Sequence, residues 1–236
     1  VHRGPHPDDL NLFAPDAWPL LVEAIDDLCW LLSRGYPTEA ARKLVGDRYH
    51  LTARQRVAVE RCSCSAASIA HRRSRQASPD AVRGRPLWID GYNLLTTIEA
   101  ALSGGVILVG RDGCYRDMAS MHGSYRKVTE TLPALECIGR TTAELGVSQC
   151  LWYLDRPVSN SGRLRAILEE FGARHAWPWH AELVQDPDRL LSEASELVVT
   201  ADSAILDRCT TWFNLARETI ARHIPDAWIP QLEHAV

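Results

Sequence analysis

"LWIDGYN", residues 87–93, decides the fold. Its apolar run has the length and branching of a buried strand, and it stops on Asp90 with a glycine directly after it. The same ending returns at "LWYLDRP", where Asp155 closes the run, and at "LVVTADSAILD", where Asp202 does. Segments of helical periodicity separate these runs. Alternation of this kind predicts an α/β domain with a mostly parallel sheet and helices on both faces. Functional sites of such sheets lie outside the carboxyl ends of the strands. Asp90, Asp155 and Asp202 are therefore expected on one rim, with Asp207 close enough to face the same cleft.

Working outward, we expect strands near 87–90, 106–109, 149–154, 173–176 and 197–200. Helices are expected at roughly 92–102, 115–145 (broken near Gly123), 161–171, 187–195 and 203–222, and "DAWIPQL" (226–232) reads as a last short edge segment. Toward the N-terminus the pattern becomes wholly helical. Leu21, Ile25, Leu28 and Leu32 recur at helical spacing across 16–34, and "PTEAARKLVG" (37–46) reads as a second helix. Thr52 and Gln55 stand at capping-box spacing before a third, which carries Arg54, Arg56 and Arg61. "HRRSRQASPDAVRGRP" (71–86) loses the periodicity and reads as a basic linker. The expected division is a small all-helical module at 1–75, a linker at 76–86 and the α/β domain at 87–236.

Several carboxylates on one rim repel one another unless cations lie between them. Oxygen-only clusters suit Mg²⁺ or Mn²⁺, which can activate water and stabilise charge on a phosphodiester. A lone Asp after a strand more often caps the following helix, so the inference rests on several of them sharing a rim. Asn93 is placed to orient Asp90, to touch substrate, or to serve the turn and helix start. "GRDGCYRD" (110–117) offers Arg111 as a phosphate ligand and Asp112 or Asp117 as a further acid. Ser159 and Ser161, before the helix at 161–171, could place backbone N–H groups on a phosphate. Arg72, Arg73 and Arg75, with Arg54, Arg56 and Arg61, form the expected grip on a nucleic-acid backbone.

Composition is that of a globular protein, 46% hydrophobic and 24% charged. The net charge of −4 hides an asymmetry: residues 34–85 hold 12 basic and 4 acidic groups, residues 86–236 hold 13 and 20. A basic segment beside an acidic domain fits a nucleic-acid grip next to a metal site. The chain has no apolar run of spanning length and no signal-peptide order, so a cytoplasmic protein is expected. Seven scattered cysteines do not read as a disulfide framework, and "CSC" (62–64) is too close-set for the usual zinc spacing. His175 and His180 read as packed aromatic-context residues. Phosphate-loop, dinucleotide-binding and serine-hydrolase motifs are absent from the sequence.

Taken together, "IDGYNLL", "LDRPVSNSG" and "VVTADSAILD" resemble the PIN-like nuclease group and its NYN branch across residues 86–222. "LLSRGYPTEAARKLVGDRYHLTARQR" resembles a prokaryotic family catalogued as domain of unknown function 434, in which a PIN-like part follows. The resemblance implies a PIN-like, Rossmann-like sheet in which Asp90, Asp155 and Asp202 bind metal, Asp207 is a fourth acid, and Asp112, Asp117 or Glu136 supplies the remaining one. Asp117 is carried forward for that place. The expected function is a Mg²⁺- or Mn²⁺-dependent ribonuclease with RNA as partner, with no membrane partner and with room for homo-oligomers. The alternatives are a non-catalytic RNA-binding scaffold and a metal-dependent phosphoesterase acting on small substrates.

Overall fold

The computed structural model describes residues 3–119 and 125–232. Its N-terminal part holds α1 (Asp9–Leu12), α2 (Trp18–Ser33), α3 (Thr38–Arg48), α4 (Ala53–Cys62) and α5 (Ala66–Arg75). Leu21, Ile25 and Leu28 of α2 are fully buried against Ala58 and Val59 of α4, as their spacing requires. Thr52 and Gln55 close the expected capping box on α4. The expected break of periodicity at residue 71 is corrected: α5 runs through it to Arg75. Its helix is amphipathic in charge as well as in apolar surface, with Arg72 turned inward and Arg73 outward.

The α/β part follows as β1 (Pro86–Asp90), α6 (Gly91–Leu102), β2 (Ile107–Val109), β3 (Tyr115–Asp117), α7 (Thr131–Glu144), β4 (Gln149–Asp155), α8 (Ser161–Arg174), β5 (Trp179–Val184), α9 (Pro187–Ser192), β6 (Leu197–Val199), α10 (Ser203–Leu206), β7 (Thr211–Trp212) and α11 (Leu215–His223). Five strands form one sheet in the order β5-β4-β1-β6-β7, and every pairing in it is parallel. β1 therefore lies at the centre, between β4 and β6. Leu87 and Ile89 enter one core with Trp152, Leu154, Leu197 and Val199, while Trp88, Tyr153 and Val198 face the other side. Period-two burial of this kind on both faces is what a sheet covered on both sides requires.

Five local expectations are corrected. Residues 173–174 belong to α8, and 175–176 form the turn that ends it; the strand begins at Trp179, where burial alternates between Trp179, Ala181 and their exposed neighbours His180 and Glu182. The strand near 106–109 exists, but it pairs antiparallel with β3 in a separate two-stranded sheet. Val106, Leu108 and Met118 bury their apolar surface among the N-terminal helices, which draws that pair away from the main sheet. The long helix at 115–145 is confined to α7; the break anticipated near Gly123 lies outside the described residues. The helix at 203–222 is two helices with β7 between them, because Trp212 is fully buried and donates its indole N–H to the Arg72 carbonyl. Residues 226–232 form no strand, although the Trp228 carbonyl accepts the Ile107 N–H. Among the described residues no helix is long and apolar enough to cross a membrane, and all seven cysteines are unpaired.

Candidate active site

The turn after β1 explains why a glycine follows Asp90. A Cβ on Gly91 would stand 2.5 Å from Leu154 Cδ2 and 2.9 Å from the Tyr153 carbonyl oxygen, so only glycine lets α6 start this close to β4. Asp90 caps α6 by accepting the Asn93 N–H (3.4 Å), and its other oxygen accepts the Thr200 hydroxyl (2.8 Å). Asn93 Oδ1 in turn accepts the Ala201 N–H at 2.8 Å. The "IDGYN" and "TAD" strand ends are thus stitched together side by side. Asp202 caps α10, accepting from the Ala204 and Ile205 N–H groups at 2.7 and 3.2 Å.

These ends open into a cleft of about 720 Å³ lined by Asp90, Asp117, Asp188 and Asp202, together with Tyr92 and Asn93. Its far wall comes from α4 through Val57, Glu60 and Arg61. Burial pushes the Asp90 carboxyl up to about 7; the Thr200 hydrogen bond opposes this, while Asp188 and Asp202 add to it. Burial also raises Asp188, helped by Asp202, Asp155 and Asp186. Asp155, at the end of β4, is raised by burial and by Asp186. It stands on the same rim but does not line this cleft.

Asp117 accepts the Thr97 hydroxyl at 2.9 Å and the Ala119 N–H at 2.7 Å, and lies 3.8 Å from Arg61. It joins the cleft by its neighbours rather than by its strand, since β3 is not part of the main sheet. Of the three acids left open for that place, Asp112 and Glu136 fall elsewhere. Asp112 is 1% exposed between Arg72 and Arg116, each 2.7 Å away. Burial alone would raise its carboxyl, but the two guanidinium groups hold it well below the ordinary value. Glu136 pairs with Arg140 on the surface of α7.

Other candidates take structural places. Asp207 does not turn into the cleft: it accepts two hydrogen bonds from Arg72, at 2.7 and 2.9 Å. Arg72, with its side chain 3% exposed, is spent inside this network and cannot reach a nucleic acid. Burial works against its charge, and Asp207 and Asp112 outweigh burial. Arg111 donates to Asp26 and to the Leu232 carbonyl, tying the helical module and the C-terminal segment together. Arg54 pairs with Asp9, Arg56 with Asp47, and Arg61 donates to the Asp117 and Ala119 carbonyls. Arg73 and Arg75 reach the Arg111 and Cys209 carbonyls at 3.4 and 2.8 Å. Ser159 is exposed and accepts the Tyr125 N–H through its carbonyl, while Ser161 is buried. His175 stacks on Trp177 at 4.6 Å between ring centres.

Sequence reasoning missed Asp188. "DPDRLL" reads as an ordinary helix start, with Asp186 capping, Pro187 in the first turn and Asp188 favouring the helix N-terminus. Only the packing of α9 across the ends of β1 and β4 brings Asp188 to the Asp90 cleft.

Among the described residues, no three His, Cys, Asp or Glu side chains converge closely enough to hold a metal ion. The donor chemistry nonetheless fits a hard divalent cation: Asp90, Asp188 and Asp202 offer only carboxylate oxygens and repel one another. The side chains stand wider than a closed cage.

The chain belongs to the family described as Domain of unknown function (DUF5616), which matches residues 79–218. Residues 20–75 match the family described as Protein of unknown function (DUF434). Among curated proteins, the chain is similar to Uncharacterized protein MJ0935 of Methanocaldococcus jannaschii, at 27% identity over 186 residues, 79% of this chain and 88% of that one. No solved structure matches it. The acidic cleft draws its walls from both matched segments, Arg61 from residues 20–75 and the aspartates from residues 79–218.

Proposed function

We propose that this member of the DUF5616 family is a Mg²⁺- or Mn²⁺-dependent hydrolase of RNA phosphodiester bonds, built on the PIN-like fold that its strand-end motifs resemble. One observation carries the reading. Asp90, Asp188 and Asp202 face one cleft at the carboxyl ends of parallel strands, where burial first, and then the charges of Asp188 and Asp202, push the Asp90 carboxyl up to about 7. A carboxyl perturbed by burial and by named charge partners in a cleft is a functional-site candidate. When bound, the ion would supply electrostatic stabilisation for the charge that builds on a phosphodiester under attack.

The chain's own residues divide the remaining work. Asp90, Asp188 and Asp202 would hold the ion, with Asp155 and Asp117 at the flanks. Thr200 fixes the Asp90 carboxylate by hydrogen bond, and Asn93 is fixed in turn by the Ala201 N–H. Arg61 sets the opposite wall, its side chain 32% exposed. Asp207 is assigned no part in holding the ion, since Arg72 occupies both of its oxygens.

The open spacing of the acids favours the second reading, a non-catalytic RNA-binding protein. Cleavage of end-labelled single-stranded RNA separates the two. The nuclease reading expects products with Mn²⁺, none with EDTA and none from Asp202→Asn; a folded wild-type protein that binds RNA and Mn²⁺ without cutting would overturn it.

A further inference from the structure

A second cleft, of about 510 Å³, lies between the segment 125–129 and the first turns of α8. Arg126, Lys127 and Arg163 line it, and all three are exposed. Among the described residues no carboxylate lines it, and none of the three cations is engaged in an ion pair. That sets them apart from the arginines of the N-terminal helices, whose guanidinium groups are largely committed to carboxylates or carbonyls. The floor between the cations is the half-buried Ile167, with Val128 and Leu164 buried beneath it. Its walls are tied to each other: the Tyr125 N–H donates to the Ser159 carbonyl at 3.1 Å, and Asn160 Nδ2 donates to the Tyr125 carbonyl at 3.0 Å.

The two clefts adjoin. Tyr92 lines the acidic one and Tyr125 the basic one, and their rings pack 5.6 Å apart between centroids. We infer that the basic cleft is the binding track for a single-stranded polynucleotide, holding phosphates on Arg126, Lys127 and Arg163 and bases on the apolar floor, and that it leads the strand to the acidic cleft. Cations around an apolar surface match the alternation of phosphate and exposed base in a single strand. A duplex hides its bases and would leave the floor unused. The inference rests on the nuclease reading only for where the strand leads; the binding itself is separate.

The test is fluorescence anisotropy with a labelled 12-nucleotide RNA and the DNA of the same sequence, in EDTA so that nothing is cut. Lys127→Glu/Arg163→Glu is expected to weaken binding at least tenfold at low salt. The milder Lys127→Ala/Arg163→Ala should lower the salt slope by about 1.4, about 0.7 for each lost phosphate contact on a single strand. Melting curves check that these surface variants fold. RNA and DNA binding alike, or RNA more tightly, both fit, the first reading the backbone alone and the second the sugar also. Folded variants that bind like wild type would overturn the inference, as would equal binding of a duplex or a loss confined to Arg73→Glu/Arg75→Glu. Binding through this cleft without any cleavage in Mn²⁺ leaves it standing and overturns the nuclease reading instead.

Discussion

Replacing Asp90 by asparagine should make the protein more stable in alkaline solution while removing a ligand of the proposed metal site. The Asp90 carboxyl is raised from 3.8 to about 7, first by burial and then by Asp188 and Asp202. A carboxyl raised on folding binds more protons in the native state than in the unfolded chain between those two values. Stability therefore falls as pH rises from about 4 to about 7 and is level above that. The gap corresponds to about 4 kcal/mol. Asparagine is nearly isosteric: its oxygen can accept the Asn93 N–H and its amide can donate to Thr200. It must itself be desolvated, so about half of that gain, about 2 kcal/mol, should survive. For a chain of this length the midpoint at pH 8 should rise by about 4–8 °C, and at pH 4.5, where wild type has regained about 3 kcal/mol, the order should reverse, with the variant melting about 2–4 °C below wild type. Thermal melts at both pH values in EDTA are the assay. An Asp90→Asn protein that melts at or below wild type at pH 8 would refute the idea that Asp90 is held in a repulsive, desolvated place.

Further expectations follow from other parts of the structure. Mn²⁺ at about a hundred times its dissociation constant should stabilise wild type by about 2.7 kcal/mol at pH 8 and do so much less at pH 5.5, where a proton holds Asp90; equal stabilisation of Asp188→Asn would contradict this. Arg72→Ala leaves Asp112, 1% exposed, with Arg116 alone, so a loss of about 3 kcal/mol is expected in urea unfolding. An unchanged urea midpoint would show that Arg116 suffices. Gly91→Ala should cost about 1–3 kcal/mol through its clash with Leu154 and the Tyr153 carbonyl, read by the same unfolding curve.

The sheet was largely legible because its strands carry their own signal: "LWID", "CLWYLD" and "LVV" are short, apolar and branched or aromatic, the first two ending on an aspartate and the third leading to Asp202. β3 and β7 were not, since "YRD" and "TW" are too short for a period to show and owe their pairing to neighbours. Helix α5 was hidden by its arginines. Arg72 counts as polar in any pattern, yet it faces inward because Asp112 and Asp207 wait there. The same long-range pairing displaced Asp207 from the site, where spacing along the chain had placed it. Asp188 shows the converse. Nothing local distinguishes it from a helix-start acid, and only the crossing of α9 over the strand ends gives it a different role.

Electron paramagnetic titration of Mn²⁺ into wild type, Asp188→Asn and Asp207→Asn at pH 8 bears most directly on the proposed site. Wild type and Asp207→Asn should both bind the ion, and Asp188→Asn should lose at least tenfold in affinity. Binding that disappears with Asp207 and persists without Asp188, or a wild-type protein that binds no Mn²⁺, would contradict it.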